Sequence, residues 1–238
     1  MRISGLIALL FLLFAIPLAA QQKTHLIPVL HGLHKSNDAY NYDSLKAIIA
    51  RLKPDIIAVE IRREDIGADT TYLKKNYPYE MWMMPQWFPK VRIVGFDWLG
   101  EDIEGKSIPD NYWKEIAEIK KWERKRNQDT IFTVKLAPCD SISKVRLEIL
   151  KTSSLKEILE SRDSELIKTY YSCMEANLQG SEYQKIPEFY SRRNREMLKN
   201  ISKLRQQAKG KTLVIITGDD HYPYLFEGLK PDKLLLPD

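Results

Sequence analysis

Histidine is scarce in this chain: His25, His31, His34 and His221 are all it has. Three of them follow apolar runs. His31 and His34 come after 26–30, and His221 comes after 212–217, in Gly218-Asp219-Asp220-His221. Two carboxylates hold equivalent places. Glu60 lies at the end of the β-branched run 56–61, and Asp97 closes 91–96. Imidazole and carboxylate are the usual ligands of a divalent metal in a hydrolytic site. A bound metal there would lower the pKa of a water and polarise a carbonyl. A carboxylate left over could act as general base. Each residue also has an ordinary structural role open to it. His31 could pack at a strand end, Glu60 could pair with Arg62 or Arg63, and Asp97, Asp219 and Asp220 could serve turns or caps. His221 could pack at the entry of a helix.

The elements around these residues decide whether they can meet. Leu26 to Leu30 reads as a strand, despite its Pro28. Tyr42 to Leu52 places apolar residues at 45, 48, 49 and 52 on one helical face, with Asn41 or Asp43 as its cap. Ile56 to Ile61 and Val91 to Phe96 read as two more strands, and the first strand, helix and second strand make a plausible βαβ unit. The aromatic stretch Tyr77 to Phe88, with Pro78 and Pro85 inside it and Pro89 after it, is too irregular for a regular helix. It reads as a loop that either packs its aromatics inward or faces a substrate. From about 110 to 208 the pattern is helical: 111–126, then 143–159 interrupted near 152–154, then 165–178 and 187–208. Thr212 to Thr217 is the last strand. The expected architecture is one α/β domain, a mostly parallel central sheet with strands from both chain ends and a helical insertion at about 110–208. Parallel strands bring their C-terminal ends to one edge, where ligands bind. His34, Glu60, Asp97 and His221 are then expected in one cleft.

Composition bounds the rest. The 238 residues are 44% hydrophobic and 29% charged. That is globular usage, not collagenous, coiled-coil or disordered. Lys and Arg number 37 against 32 Asp and Glu, a formal net charge of +5. The excess is mild and carries no long basic run, so nucleic acid is not an expected partner. Mean hydropathy of −0.38 excludes a polytopic membrane protein. Residues 1–20 have the layout of a secretory signal peptide: Arg2, an apolar run from Leu6 to Ile16, and Leu18-Ala19-Ala20 at a cleavage site. The run is too short to span a bilayer comfortably, so no membrane span is expected after cleavage and the destination is periplasmic or secreted. Cys139 and Cys173 are the only cysteines. In an oxidising compartment they could pair; otherwise they are two buried thiols. No Gly-x-Ser-x-Gly elbow, P-loop, His-Glu-x-x-His or dinucleotide fingerprint occurs.

The ordered segments HGLHKSN at 31–37, PDIIAVEIRRED at 54–65, VRIVGFD at 91–97, SRRNREMLKNI at 191–201 and TLVIITGDDHYPYL at 212–225 resemble the TraB/PrgY and Tiki superfamily, with its GumN-like, ChaN-like and erythromycin-esterase-like relatives. The family pattern is Gly-x-x-His after the first strand, Pro-Asp and a strand ending in Glu, an Arg on a long helix, and a second Gly-x-x-His after the last strand. Gly218-Asp219-Asp220-His221 matches the second motif and Glu60 matches the strand-end Glu. The helix Arg falls at Arg192, Arg193 or Arg195, with Arg193 the best register. The first motif departs, because His31 stands where the family has Gly. The resemblance covers most of 25–99 and 185–228.

The resemblance implies an exported, metal-dependent hydrolase, peptidase-like or esterase-like, acting on a peptide or a small molecule. Its divalent ion would be manganese, cobalt or zinc, held by His34, Glu60 and His221, with His31 and Asp97 as further candidate ligands. Glu60, Arg193, His34 and His221 are the expected catalytic groups. The ChaN-like branch implies an alternative, a non-catalytic protein that binds haem.

Overall fold

The computed structural model describes residues 22–234 and 236. The expected signal peptide lies outside the described residues. The chain runs β1 (Lys23–Val29), α1 (Tyr42–Arg51), β2 (Ile56–Arg62), α2 (Thr70–Asn76), α3 (Tyr79–Trp87), β3 (Arg92–Asp97), α4 (Glu118–Gln128), α5 (Thr130–Thr152), α6 (Leu155–Glu160), α7 (Asp163–Leu178), α8 (Lys185–Gln207), β4 (Thr212–Gly218) and α9 (Tyr222–Leu229). The four strands form one parallel sheet in the order β1-β4-β2-β3. The expected α/β sheet built from both chain ends is therefore present.

One feature of that order positions the site. β1 and β2, expected as neighbours in a βαβ unit, are separated by β4. Val29 aligns with Gly218 on one side, and Val59 aligns with Ile216 on the other. The last strand is thus central, and its C-terminal end lies between the ends of β1 and β2. β3 completes the sheet beside β2, with a register shift between Val59 and Arg62.

Strand side chains alternate between the two faces. Ile27, Val29, Ile57, Val59, Ile61, Val214 and Ile216 join one core with Leu45, Ile48 and Ile49 of α1 and Met81 and Met84 of α3. Leu26, Ile56, Ala58, Leu213 and Ile215 join the other, with Met197, Ile201 and Leu204 of α8 and Leu225 and Leu229 of α9. Asn41 caps α1, its Oδ1 accepting from Ser44 N at 2.9 Å.

Three sequence expectations need correction. The stretch 77–88 is not an irregular loop: 79–87 is helical, with Pro78 at its N-cap and Pro85 inside it. Full burial of Glu80, Met81 and Met84 outweighs the hydrogen bond that Pro85 cannot donate. The helix expected over 111–126 is broken: a π turn at Tyr112–Ile116 precedes α4. The helix expected from 143 begins thirteen residues earlier, at Thr130, where Asp129 caps it; the break near 152–154 is as expected. Cys139 and Cys173 are joined by a disulfide between α5 and α7, with Cα atoms 5.7 Å apart. Among the described residues no helix is long and apolar enough to cross a membrane.

Candidate active site at the carboxyl edge of the sheet

Glu60, at the end of β2, is buried beside β4. Its Oε2 accepts from Gly218 N at 2.8 Å and from Thr217 Oγ1 at 3.0 Å. Its Oε1 accepts from Arg193 Nη2 at 2.7 Å. Asp97, at the end of β3, takes the Nε–Nη2 edge of the same guanidinium, sharing Nη2 with Glu60. Arg193 Nε donates to Oδ1 and Nη2 to Oδ2, both at 2.9 Å, and Trp98 N adds a bond to Oδ1 at 2.7 Å. Neither Arg62 nor Arg63 pairs with Glu60; Arg62 turns to Asp65 instead. Arg193 comes from α8, whose Asn194 lies next to it in the chain. Asn194 Oδ1 accepts the Nδ1 proton of His221 at 2.5 Å, which leaves the lone pair on Nε2. That nitrogen lies 3.6 Å from Glu60 Oε1.

His31 is the fifth member. Its Nδ1 is 2.6 Å from Oε1 of Glu80, a fully buried carboxylate on α3. Its Nε2 turns to the other side. A Cβ built on Gly218 would lie 2.7 Å from His31 Nε2, so a side chain there would push the imidazole away, while its 3.6 Å to Glu60 Oε2 would be an ordinary contact. The backbone of His31 has φ +51°, the left-handed region that favours glycine. Holding a side chain there costs of order 1 kcal/mol or more, and such positions cluster at functional sites. His31, Glu60, Asp97 and Arg193 share the wall of a cavity of about 200 Å³, which Trp113 and Tyr190 help to enclose.

His34 does not join them. Its Nδ1 donates to Tyr40 O at 2.6 Å and its Nε2 accepts from Leu30 N at 2.9 Å. Both ring nitrogens are spent on main chain, and burial lowers its pKa. His34 ties the turn after β1 together. Asn37 helps, donating to Leu150 O at 2.7 Å and Ser153 O at 2.9 Å at the end of α5.

The environments drive the two site imidazoles apart. Burial works against a charged His31, but the bond to Glu80 and the nearby Glu80, Glu60 and Asp219 charges raise it to about 9. Burial carries His221 down to about 4, assisted by Arg193 and opposed by Glu60. Burial resists ionisation of Glu60, yet His221, Arg193, His31 and the Gly218 amide hold its carboxyl at about 2. At neutral pH the site therefore holds a cationic His31, an anionic Glu60 and a neutral His221. Such pairs mark acid and base assignments.

A divalent ion needs lone pairs that converge on one point. His34 offers none, Thr217 and Gly218 already take Glu60 Oε2, and Arg193 stands between Glu60 Oε1 and both oxygens of Asp97. Among the described residues no three His, Cys, Asp or Glu side chains are grouped to hold a metal. This donor set does not fit the ion that the sequence leads one to expect; Arg193 supplies the positive charge between the carboxylates. This cavity, at about 200 Å³, is itself too small to enclose a haem.

Two residues of the site carried no signal in the sequence. Glu80 lies in the aromatic stretch, with nothing in its spacing to link it to His31. Arg146, from the insertion, reaches back to the loop after β4. It donates to Asp163 Oδ1 at 3.0 Å, to Asp220 Oδ1 at 2.6 Å, and to Asp219 Oδ2. Asp219 is pushed up to about 7 by burial and by Asp220, against the pull of Arg146. Compared with family models, curated proteins and solved structures, the chain finds no match.

Proposed function

We propose that this protein is an exported hydrolase that cleaves a peptide or a small ester by acid–base catalysis at the strand-end cavity. The observation that carries the reading is the His31–Glu80 pair: an imidazole held at Nδ1 by a buried carboxylate, in left-handed backbone, with Nε2 turned to the Glu60 side of the cavity. His31 is the general acid, giving its Nε2 proton to the leaving group. Glu60 is the general base, taking a proton from the attacking water. His221 Nε2 lies 3.6 Å behind Glu60 Oε1, close enough that the charge of either group bears on the other and the two titrate as a pair. Arg193 keeps both carboxylates in place and stabilises negative charge that develops on the attacked carbonyl oxygen. The motif series that resembles the TraB/PrgY and Tiki superfamily supports hydrolysis. Export is supported by the N-terminal layout and by the Cys139–Cys173 disulfide, a bond that persists in oxidising compartments.

The test is a panel of short peptides and simple esters offered to the purified protein and to its His31→Ala and Glu60→Gln variants. Expected is turnover of at least one member by the native protein, reduced by about 10²–10⁴-fold in each variant. No turnover of any member, or a His31→Ala protein as fast as the native one, would sink the reading.

A further inference from the structure

Beside the first cavity lies a second of about 200 Å³, and Tyr190 lines both. The second is built by the insertion: Arg126 from α4, Ser143 and Arg146 from α5, and Tyr170 and Tyr171 from α7. Its charges do not balance internally in the usual way. Glu123 accepts from Lys120 Nζ at 2.7 Å and from the Tyr190 hydroxyl at 2.5 Å. Asp220 accepts from Arg146. Both lining carboxylates therefore already have a cation. Arg126 has no carboxylate partner among the described residues, and its Nε is buried without any hydrogen-bond acceptor. A buried N–H donor left without an acceptor is costly, and such a group calls for an explanation. Burial pushes the Tyr170 phenol up, and Arg126 is near enough to pull it the other way. Guanidinium and hydroxyl donors around a small void are the chemistry that receives a carboxylate or phosphate.

We infer that this second cavity is an anion subsite, with Arg126 as its charged donor, and that it takes the terminal carboxylate of a short peptide lying across Tyr190 from the first cavity. The inference rests on the hydrolase reading for the peptide's other end, but binding at Arg126 can be measured without hydrolysis. The substrate class becomes a peptide with a free C-terminus close to the bond cleaved. Unlike Arg146, whose three donor groups are spent on Asp163, Asp219 and Asp220, Arg126 is available to it.

The experiment follows the Arg126 Nε–H resonance of the ¹⁵N-labelled protein, assigned by its loss in Arg126→Lys. The probes are N-acetylalanine, N-acetylalaninamide and inorganic phosphate. Expected is a saturable shift with N-acetylalanine, retained in the His31→Ala variant, and none with the amide. In peptide assays Arg126→Gln then raises KM on the order of tenfold for free-carboxylate substrates, with kcat and the KM of C-terminal amides unchanged. The exposed Arg124→Gln leaves all of these as they are. Equal shifts with acid and amide overturn the subsite, as does no shift with any probe up to the solubility limit. A saturable shift with phosphate alone overturns the carboxylate assignment. Loss of turnover in His31→Ala with the shift preserved separates failure of the chemistry from failure of the subsite.

Discussion

His31 Nδ1 and Glu80 Oε1 meet at 2.6 Å, joining the turn after β1 to a helix whose leading residues Tyr77 and Pro78 line the cavity with His31. The contact fixes which His31 nitrogen faces the substrate and keeps the ring protonated. A profile of kcat/KM against pH is expected to be bell-shaped. The acid limb belongs to the Glu60–His221 pair, whose imidazole lies at about 4, and the alkaline limb to His31 at about 9. In Glu80→Gln the alkaline limb is expected to move down toward the ordinary imidazole value of about 6.5, because the raising partner is gone. The same shift affects stability. His31 has a raised value in the fold, so its contribution is complete below the unfolded value and is lost as pH rises through about 9. An alkaline limb that stays in place in Glu80→Gln would refute the pairing.

His34 and His31 should separate cleanly in mutagenesis. His34→Ala removes two main-chain bonds inside the turn and leaves a buried amide and carbonyl unsatisfied. A loss of about 1–3 kcal/mol is expected, or roughly 2–4 °C in Tm for each kcal/mol at this chain length. Turnover measured well below the transition should stay close to native. His31→Ala should abolish turnover even when measured well below its own transition, and it also loses stability because Glu80 is left buried without its partner. Calorimetry and rate measurements on the two variants check both halves. A His34→Ala protein that folds fully but is dead would return His34 to the reaction.

Much of this arrangement was legible in the sequence, for reasons of periodicity. β-branched runs ending in Glu60, Asp97 and Gly218 named the strands, and parallel topology put their ends on one edge. What periodicity cannot give is strand order. The position of β4 between β1 and β2 is a tertiary outcome, and it decides that Gly218 lies against both His31 and Glu60. The choice between His31 and His34 was equally hidden, since it depends on one backbone angle and on Tyr40 O. Glu80 and Arg146 are long-range partners, one inside a segment that looked irregular and one in the insertion. No local pattern connects either to the residue it serves.

The carboxylates of this site are neutralised by Arg193 rather than left open to a cation. Elemental analysis of protein purified without chelator is therefore expected to find no stoichiometric manganese, cobalt or zinc. Turnover after EDTA treatment should equal turnover before. One equivalent of metal that disappears in Glu60→Gln and His221→Ala would mean that Arg193 moves aside in solution, and the acid–base assignments would fall with it.

Arg193 gives the sharpest separation between holding the site and running it. Its fork spans Asp97 with two parallel bonds and reaches Glu60 with one. Lysine keeps the charge but presents a single point, which cannot bridge two carboxylates in a fixed plane. Arg193→Lys is thus expected to fold with a modest loss of stability while kcat falls about 10²–10³-fold, the effect of removing one preorganised donor from a developing oxyanion. Arg193→Met removes the charge and leaves two buried carboxylates facing each other. It is expected to cost about 3–5 kcal/mol in denaturant melts. Adding Asp97→Asn to Arg193→Met should recover part of that loss without restoring turnover, because the repulsion is relieved while the donor is still missing. If Arg193→Lys kept native kcat, the guanidinium would be a strut for β2 and β3 alone, and charge stabilisation would have to come from His31.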